Sequence, residues 1–100
     1  MKEILLFGAG KSATVLVDYL LATAEIENWH LTIVDADIVA AQSKIGNSSF
    51  GKVISFDIQH EEQRNKIIQI ADIVISLLPP ALHFLVAQDC VLFSKNYLYL

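Results

Sequence analysis

Apolar residues along this chain fall into two alternating patterns: short runs that are apolar nearly throughout, and longer stretches with apolar residues at helical spacing. The first run, Lys2 to Phe7, predicts a buried strand. Ser12 to Ala24 predicts a helix, with Ala13, Leu16, Val17, Leu20 and Leu21 on one stripe, and Glu25 to Asn28 a loop. Trp29 to Val34 predicts a second strand, ending at Asp35, and Ala36 to Lys44 a short helix. Gly46-Asn47-Ser48-Ser49-Phe50-Gly51 is the clearest breaker segment. Val53 to Phe56 predicts a third strand closed by Asp57, and Glu61 to Ile70 a helix with acidic residues in its first turn, where the helix dipole prefers them. Asp72 to Leu78 predicts a fourth strand closed by Pro79-Pro80. A helix from Ala81 to about Ser94 then leads to a fifth strand at Tyr97 to Leu100.

Strands alternating with helices imply βαβ units and a parallel sheet. A sheet covered by helices on both faces explains why the strands are apolar throughout instead of alternating. Right-handed crossovers leave few topologies open, and the expected fold class is α/β, a doubly wound parallel sheet of the Rossmann type. The stretch stops inside the apolar fifth strand, so residues 1–100 are expected to be one dinucleotide-binding domain, the front portion of a longer polypeptide whose substrate domain lies elsewhere.

Composition narrows the class. Apolar residues make up 54% and charged residues 18%, which fits a globular domain and excludes a disordered one. No apolar run reaches the length of a membrane span, and Glu3 with its following glycine turn occupies the place of a signal-peptide core, so a cytoplasmic location is expected. The lone Cys90 excludes an internal disulfide. A net charge of −4, with Arg64 as the single arginine, argues against a nucleic-acid surface.

Candidate chemistry begins where the first strand ends. Gly8-Ala9-Gly10-Lys11-Ser12-Ala13 reads Gly-x-Gly-x-x-Ala between a strand and a helix, the spacing of a pyrophosphate-binding turn. Gly8 permits the tight turn, Gly10 lets a phosphate approach the backbone, and Ala13 allows helix and strand to pack closely. The free N–H groups and dipole of the following helix would meet the anion. Gly10-Lys11-Ser12 also resembles the end of a P-loop, but the glycine that motif needs five positions before Gly10 is Leu5, inside the strand. Lys11 is then a solvated residue or a phosphate partner, and Ser12 a donor to the pyrophosphate.

Asp35, roughly 25 positions after Gly10, ends the second strand, where a carboxylate accepts hydrogen bonds from the adenosine ribose. A 2′-phosphate there would meet like charge with no arginine following, so NAD is expected as cofactor in preference to NADP. The plainer role for Asp35 is a helix N-cap, and for Asp37 a dipole partner in the first turn. Asp57-Ile58 has the place of an adenine contact, with a helix cap as the alternative. Leu77-Leu78-Pro79-Pro80, across from the glycine turn, would wall the nicotinamide side or simply end the strand. His30, His60, His83 and Cys90 lack metal-ligand spacing, and no nucleophile arrangement is present, so no metal is expected and catalytic residues stay unassigned. His83 approaches the nicotinamide end in sequence order; Cys90 falls on an apolar stripe and reads as packing.

Taken together, the glycine turn, Asp57-Ile58 and the segment Ala71-Asp72-Ile73-Val74-Ile75-Ser76-Leu77-Leu78-Pro79-Pro80 resemble the N-terminal NAD(P)-binding domain of the saccharopine dehydrogenase family, in its glutamate-forming, saccharopine reductase-like branch. The resemblance covers essentially the whole chain. It implies pyrophosphate binding by Gly10, Lys11, Ser12 and Ala13, ribose reading by Asp35, Ala36 and Asp37, adenine contacts by Asp57 and Ile58, and a contact by Leu78. Family members often carry an arginine after the second strand and use NADP, whereas this chain has Asp35-Ala36-Asp37.

The implied activity is that of an oxidoreductase acting on the CH–NH group of an amino-acid-derived secondary amine, with the nicotinamide carrying the hydride. The expected partners are a dinucleotide and a small amino-acid substrate held by another domain, with a homodimer allowed and no nucleic acid or membrane. The 100-residue piece alone is expected to be inactive. The alternative from another class is a non-catalytic, nucleotide-sensing Rossmann module.

Overall fold

A computed structural model of the chain describes residues 1–8, 10 and 13–100. Nine elements alternate: β1 (Lys2–Phe7), α1 (Thr14–Glu27), β2 (Trp29–Val34), α2 (Ile38–Ile45), β3 (Gly51–Ile54), α3 (Glu61–Gln69), β4 (Ile73–Ser76), α4 (Pro80–Leu92) and β5 (Asn96–Tyr99). The strands form one five-stranded parallel sheet in the order β3-β2-β1-β4-β5. Chain order runs outward one way from β1 and then outward the other way from β4. The expected doubly wound architecture is therefore present, with its switch point between β1 and β4.

The period-2 geometry of β1 divides the core. Ile4 and Leu6 pack with Val17 and Leu20 of α1, Leu31 and Ile33 of β2, and Ala41 and Ile45 of α2. Leu5 and Phe7 point the other way, to Ile68 of α3 and Val86 and Cys90 of α4. Each fully buried side chain of this size contributes roughly 1.5–3 kcal/mol relative to exposure, and β1 supplies such groups to both faces. Among the described residues, no helix is long and apolar enough to cross a membrane.

Several boundaries differ from the sequence expectation. The α1 helix continues through Glu25, Ile26 and Glu27 and stops at Asn28, whose left-handed backbone (φ 58°) returns its N–H to the Ala24 carbonyl. The next residue, Trp29, is held by its indole N–H on the Leu20 carbonyl at 2.8 Å. Strand β3 starts at Gly51 and ends at Ile54, earlier than expected. An added Cβ on Gly51 would lie 2.5 Å from Ile45 Cδ1 and 2.9 Å from Leu21 Cδ2, so the glycine is a packing requirement inside the strand and not a breaker. Pro79 and Pro80 open a helix more than they close a strand: β4 ends at Ser76, and Pro80 is the first residue of α4, where a missing N–H costs no hydrogen bond. Strand β5 is exposed along its whole length.

Candidate functional site

The carboxyl ends of four strands are tied at one level by three hydrogen bonds. The Gly8 N–H donates to the Val34 carbonyl at 2.8 Å, the Leu77 N–H to Phe7 at 2.9 Å, and the Asp35 N–H to Ile54 at 3.3 Å. Above them opens a cleft of about 620 Å³. Gly8 leaves β1 with φ +89°, a conformation L side chains rarely adopt, and a Cβ added there would lie 3.6 Å from Leu77, ordinary van der Waals contact. Among the described residues, a Cβ on Gly10 would meet no atom within 4 Å outside its chain neighbours, so on that side the backbone stands open to an approaching group. The Ala13 N–H turns back to the Gly10 carbonyl at 2.9 Å, and Ala13 itself is fully buried where α1 begins. An open glycine backbone beneath a helix start, beside a long apolar cleft, fits a dinucleotide's phosphates and rings.

Of the residues singled out from the sequence, Gly8, Gly10, Asp35, Ala36, Asp57, Ile58, Leu78 and Pro79 line this cleft. Lys11 and Ser12 lie outside the described residues. Ala13 sits below the cleft floor in the core. Asp37 and Pro80 are one step removed: Asp37 is the N-cap of α2, its carboxylate accepting from the Ala40 N–H at 3.0 Å, and Pro80 starts α4. The cap role considered for Asp35 therefore belongs to Asp37. Asp35 closes a tighter turn, its Oδ1 accepting from the Asp37 N–H at 2.8 Å. Asp57 does the same at the end of the neighbouring connection, Oδ1 accepting from Gln59 at 2.9 Å, while the cap of α3 is His60.

Ser55, Phe56, Gln59 and Leu82 also line the cleft and were not foreseen. Ser55 and Phe56 were read as strand, but β3 ends at Ile54 and releases both into the loop over the cleft. Leu82 lies in the first turn of α4, three positions after Pro79, a helical spacing that could have flagged it.

The histidines and the cysteine are placed elsewhere. His30 Nδ1 is 3.0 Å from Glu3 Oε1, where β1 and β2 begin, at the opposite end of the sheet from the cleft. His83 stacks flat on Tyr99, ring centroids 3.7 Å apart at 8°, and is not among the lining residues. Cys90 is buried between sheet and α4, and burial, with Asp89 adjoining, pushes its thiol up to about 11. Among the described residues, no cluster of His, Cys, Asp and Glu could hold a metal ion.

Comparison with known proteins matches residues 4–99 to the family model described as the saccharopine dehydrogenase NADP binding domain. The alpha-aminoadipic semialdehyde synthase of Bos taurus is 30% identical over 96 residues, covering 95% of this chain and 10% of that protein. The NADP(+), L-glutamate-forming saccharopine dehydrogenase of Saccharomyces cerevisiae is 30% identical over 90 residues, covering 90% of this chain and 19% of its own length. The solved apo structure of the L-Glu-forming yeast enzyme superposes with a TM-score of 0.85 at 26% identity, over 99% of this chain and 21% of that one. The chain thus spans a fifth or less of the length of these relatives.

These matches overturn the expected preference for NAD: the family model is an NADP-binding one, and the yeast relative is named for NADP(+). The NAD preference rested on the Asp35 carboxylate facing the ribose with no arginine following it. In the structure its Oδ1 is engaged by the Asp37 amide. Two residues beyond Ala36, α2 begins at Ile38 and brings the positive end of its dipole to the same rim.

Proposed function

Since this chain belongs to the saccharopine dehydrogenase NADP-binding domain family, we propose that it is the NADP-holding portion of an oxidoreductase acting on the CH–NH group of an amino-acid-derived secondary amine. The observation that carries this reading is the Gly8–Gly10 turn opening on the cleft at the switch point between β1 and β4. When bound, the cofactor's nicotinamide supplies the hydride chemistry, and the chain's own residues bind and orient.

The glycine turn, with Lys11, Ser12 and the start of α1 at Ala13, would take the pyrophosphate. Asp35, Ala36 and Asp37 would border the adenosine ribose. Asp57 and Ile58 would hold the adenine, and Leu78 with Pro79 would form the apolar wall opposite the glycine turn. Contact with the amine substrate is assigned to parts of the polypeptide outside this domain, consistent with relatives five to ten times as long. A purely nucleotide-sensing module is not favoured, because the matching family and the superposed structure are both of dehydrogenases.

Calorimetric titration of the chain with NADPH tests the proposal. Saturable binding that weakens on Gly10→Val is expected; no binding of NADPH at millimolar concentration would overturn it.

A further inference from the structure

The single arginine of this chain is used inside the protein. Arg64, near the start of α3, is buried, and its guanidinium spans two partners in different parts of the fold. Nε donates to Oδ2 of Asp89 on α4 at 2.6 Å, and Nη1 donates to the Ile58 carbonyl at 2.7 Å. Asp89 is buried as well. The Asn65 amide, with its nitrogen turned toward Asp89, donates to both carboxylate oxygens at 3.1 and 2.8 Å. The guanidinium is thus held from behind through Nε, with an Nη1 N–H aimed at the Ile58 carbonyl.

That carbonyl belongs to the segment Asp57-Ile58-Gln59, all three residues of which line the cleft. The remaining bonds of the segment are local: Gln59 N–H to Asp57 Oδ1 at 2.9 Å and His60 N–H to the Asp57 carbonyl at 2.8 Å. They curl the loop on itself; Ile58 also packs against the core cluster that holds Ile68 of α3 and Val86 of α4, and the bond from Arg64 adds a directional tie from α3 to the loop backbone.

We propose that Arg64 is a positioning residue for the adenosine side of the cleft, holding Asp57-Ile58-Gln59 in its receiving shape through the Ile58 carbonyl, with Asp89 and Asn65 fixing the guanidinium. The inference rests on the cofactor reading of the cleft given above. A planar fork is required, because a lysine ammonium lacks the fixed donor directions that reach a carboxylate and a carbonyl at once.

Two measurements on the chain test it, with Arg64→Met and Arg64→Lys as variants. The first is affinity for NADPH and for 2′-phospho-ADP-ribose, which carries the adenosine end without the nicotinamide, well below the melting temperature. Both variants are expected to bind each probe at least tenfold more weakly than wild type. Arg64→Lys keeps a cation beside Asp89 and serves where Arg64→Met does not fold. The second is amide hydrogen exchange, expected to accelerate at Gln59 and His60 while the Gly8 and Asp37 amides keep their wild-type rates. A role in stability alone would lower the melting temperature and raise exchange evenly across the domain. That pattern, or unchanged affinity in folded Arg64→Lys, overturns the proposal. Failure of wild type to bind either probe would instead overturn the cofactor reading, while the exchange comparison still decides whether Arg64 holds the loop.

Discussion

Gly8 and Val34 are joined by a 2.8 Å hydrogen bond from the Gly8 N–H to the Val34 carbonyl, so the turn leaving β1 is fastened to the last residue of β2. The two edges of the cleft that would flank a dinucleotide's phosphates and ribose are therefore one hydrogen-bonded unit. Gly8 makes this bond with a backbone φ of +89°, which L side chains rarely adopt.

The two glycines of the turn are expected to respond in opposite ways. Gly8→Ala places a Cβ in a left-handed backbone and should cost roughly 1–2 kcal/mol in urea denaturation. Gly10→Ala meets no atom of the described residues beyond its chain neighbours, so stability should hold within about 0.5 kcal/mol. NADPH affinity should nonetheless fall at least tenfold, because the added methyl occupies the approach to the backbone. Equal stability losses at both positions would contradict this division of roles.

Cofactor preference is expected to follow the family. NADPH should bind more tightly than NADH, as the family model and the yeast relative's name imply. Parallel titrations with both dinucleotides read the difference directly. NADH binding more tightly to wild type would refute it.

Gly51→Ala should destabilise the domain by about 1–3 kcal/mol, as the new methyl drives into Ile45 and Leu21. Because the nearest atom is the terminal methyl of Ile45, the double variant Gly51→Ala, Ile45→Val should recover part of that loss. Thermal melts of the single and double variants provide the check; additive losses would place the strain elsewhere.

Cys90 should resist alkylation at pH 8 in the native chain and react once the chain is unfolded, since its thiol is pushed up to about 11 by burial first and by Asp89 second. The raised value also fixes a sign. The neutral thiol is favoured in the folded state, so this contribution to stability is complete below the unfolded value of 9.0 and is lost as pH rises toward 11. Denaturation midpoints of wild type and Cys90→Ala should converge over that window.

Strand-and-helix order, the position of the phosphate turn and the resemblance carried by Asp72 to Pro80 were all legible in the sequence, because each depends on local periodicity or on adjacent residues. So were most of the cleft residues, since strands ending at Asp35, Asp57 and Leu78 must deliver their ends to one edge of a parallel sheet. Boundaries were less legible where packing decided them: Gly51 looked like a breaker because the sequence does not show Ile45 and Leu21 leaning over it.

What the sequence by itself determined is therefore the fold class and the position of the glycine turn at the cleft, through hydrophobic period and glycine chemistry acting over a few residues. Only the tertiary structure decided which polar groups are committed elsewhere. Arg64 joins Ile58 to Asp89, which lies 25 positions beyond Arg64 in the chain. Hydrogen bonds between residues distant in sequence leave no periodic trace. They arise from the way helices on one face of the sheet come to lie beside the loop at its edge.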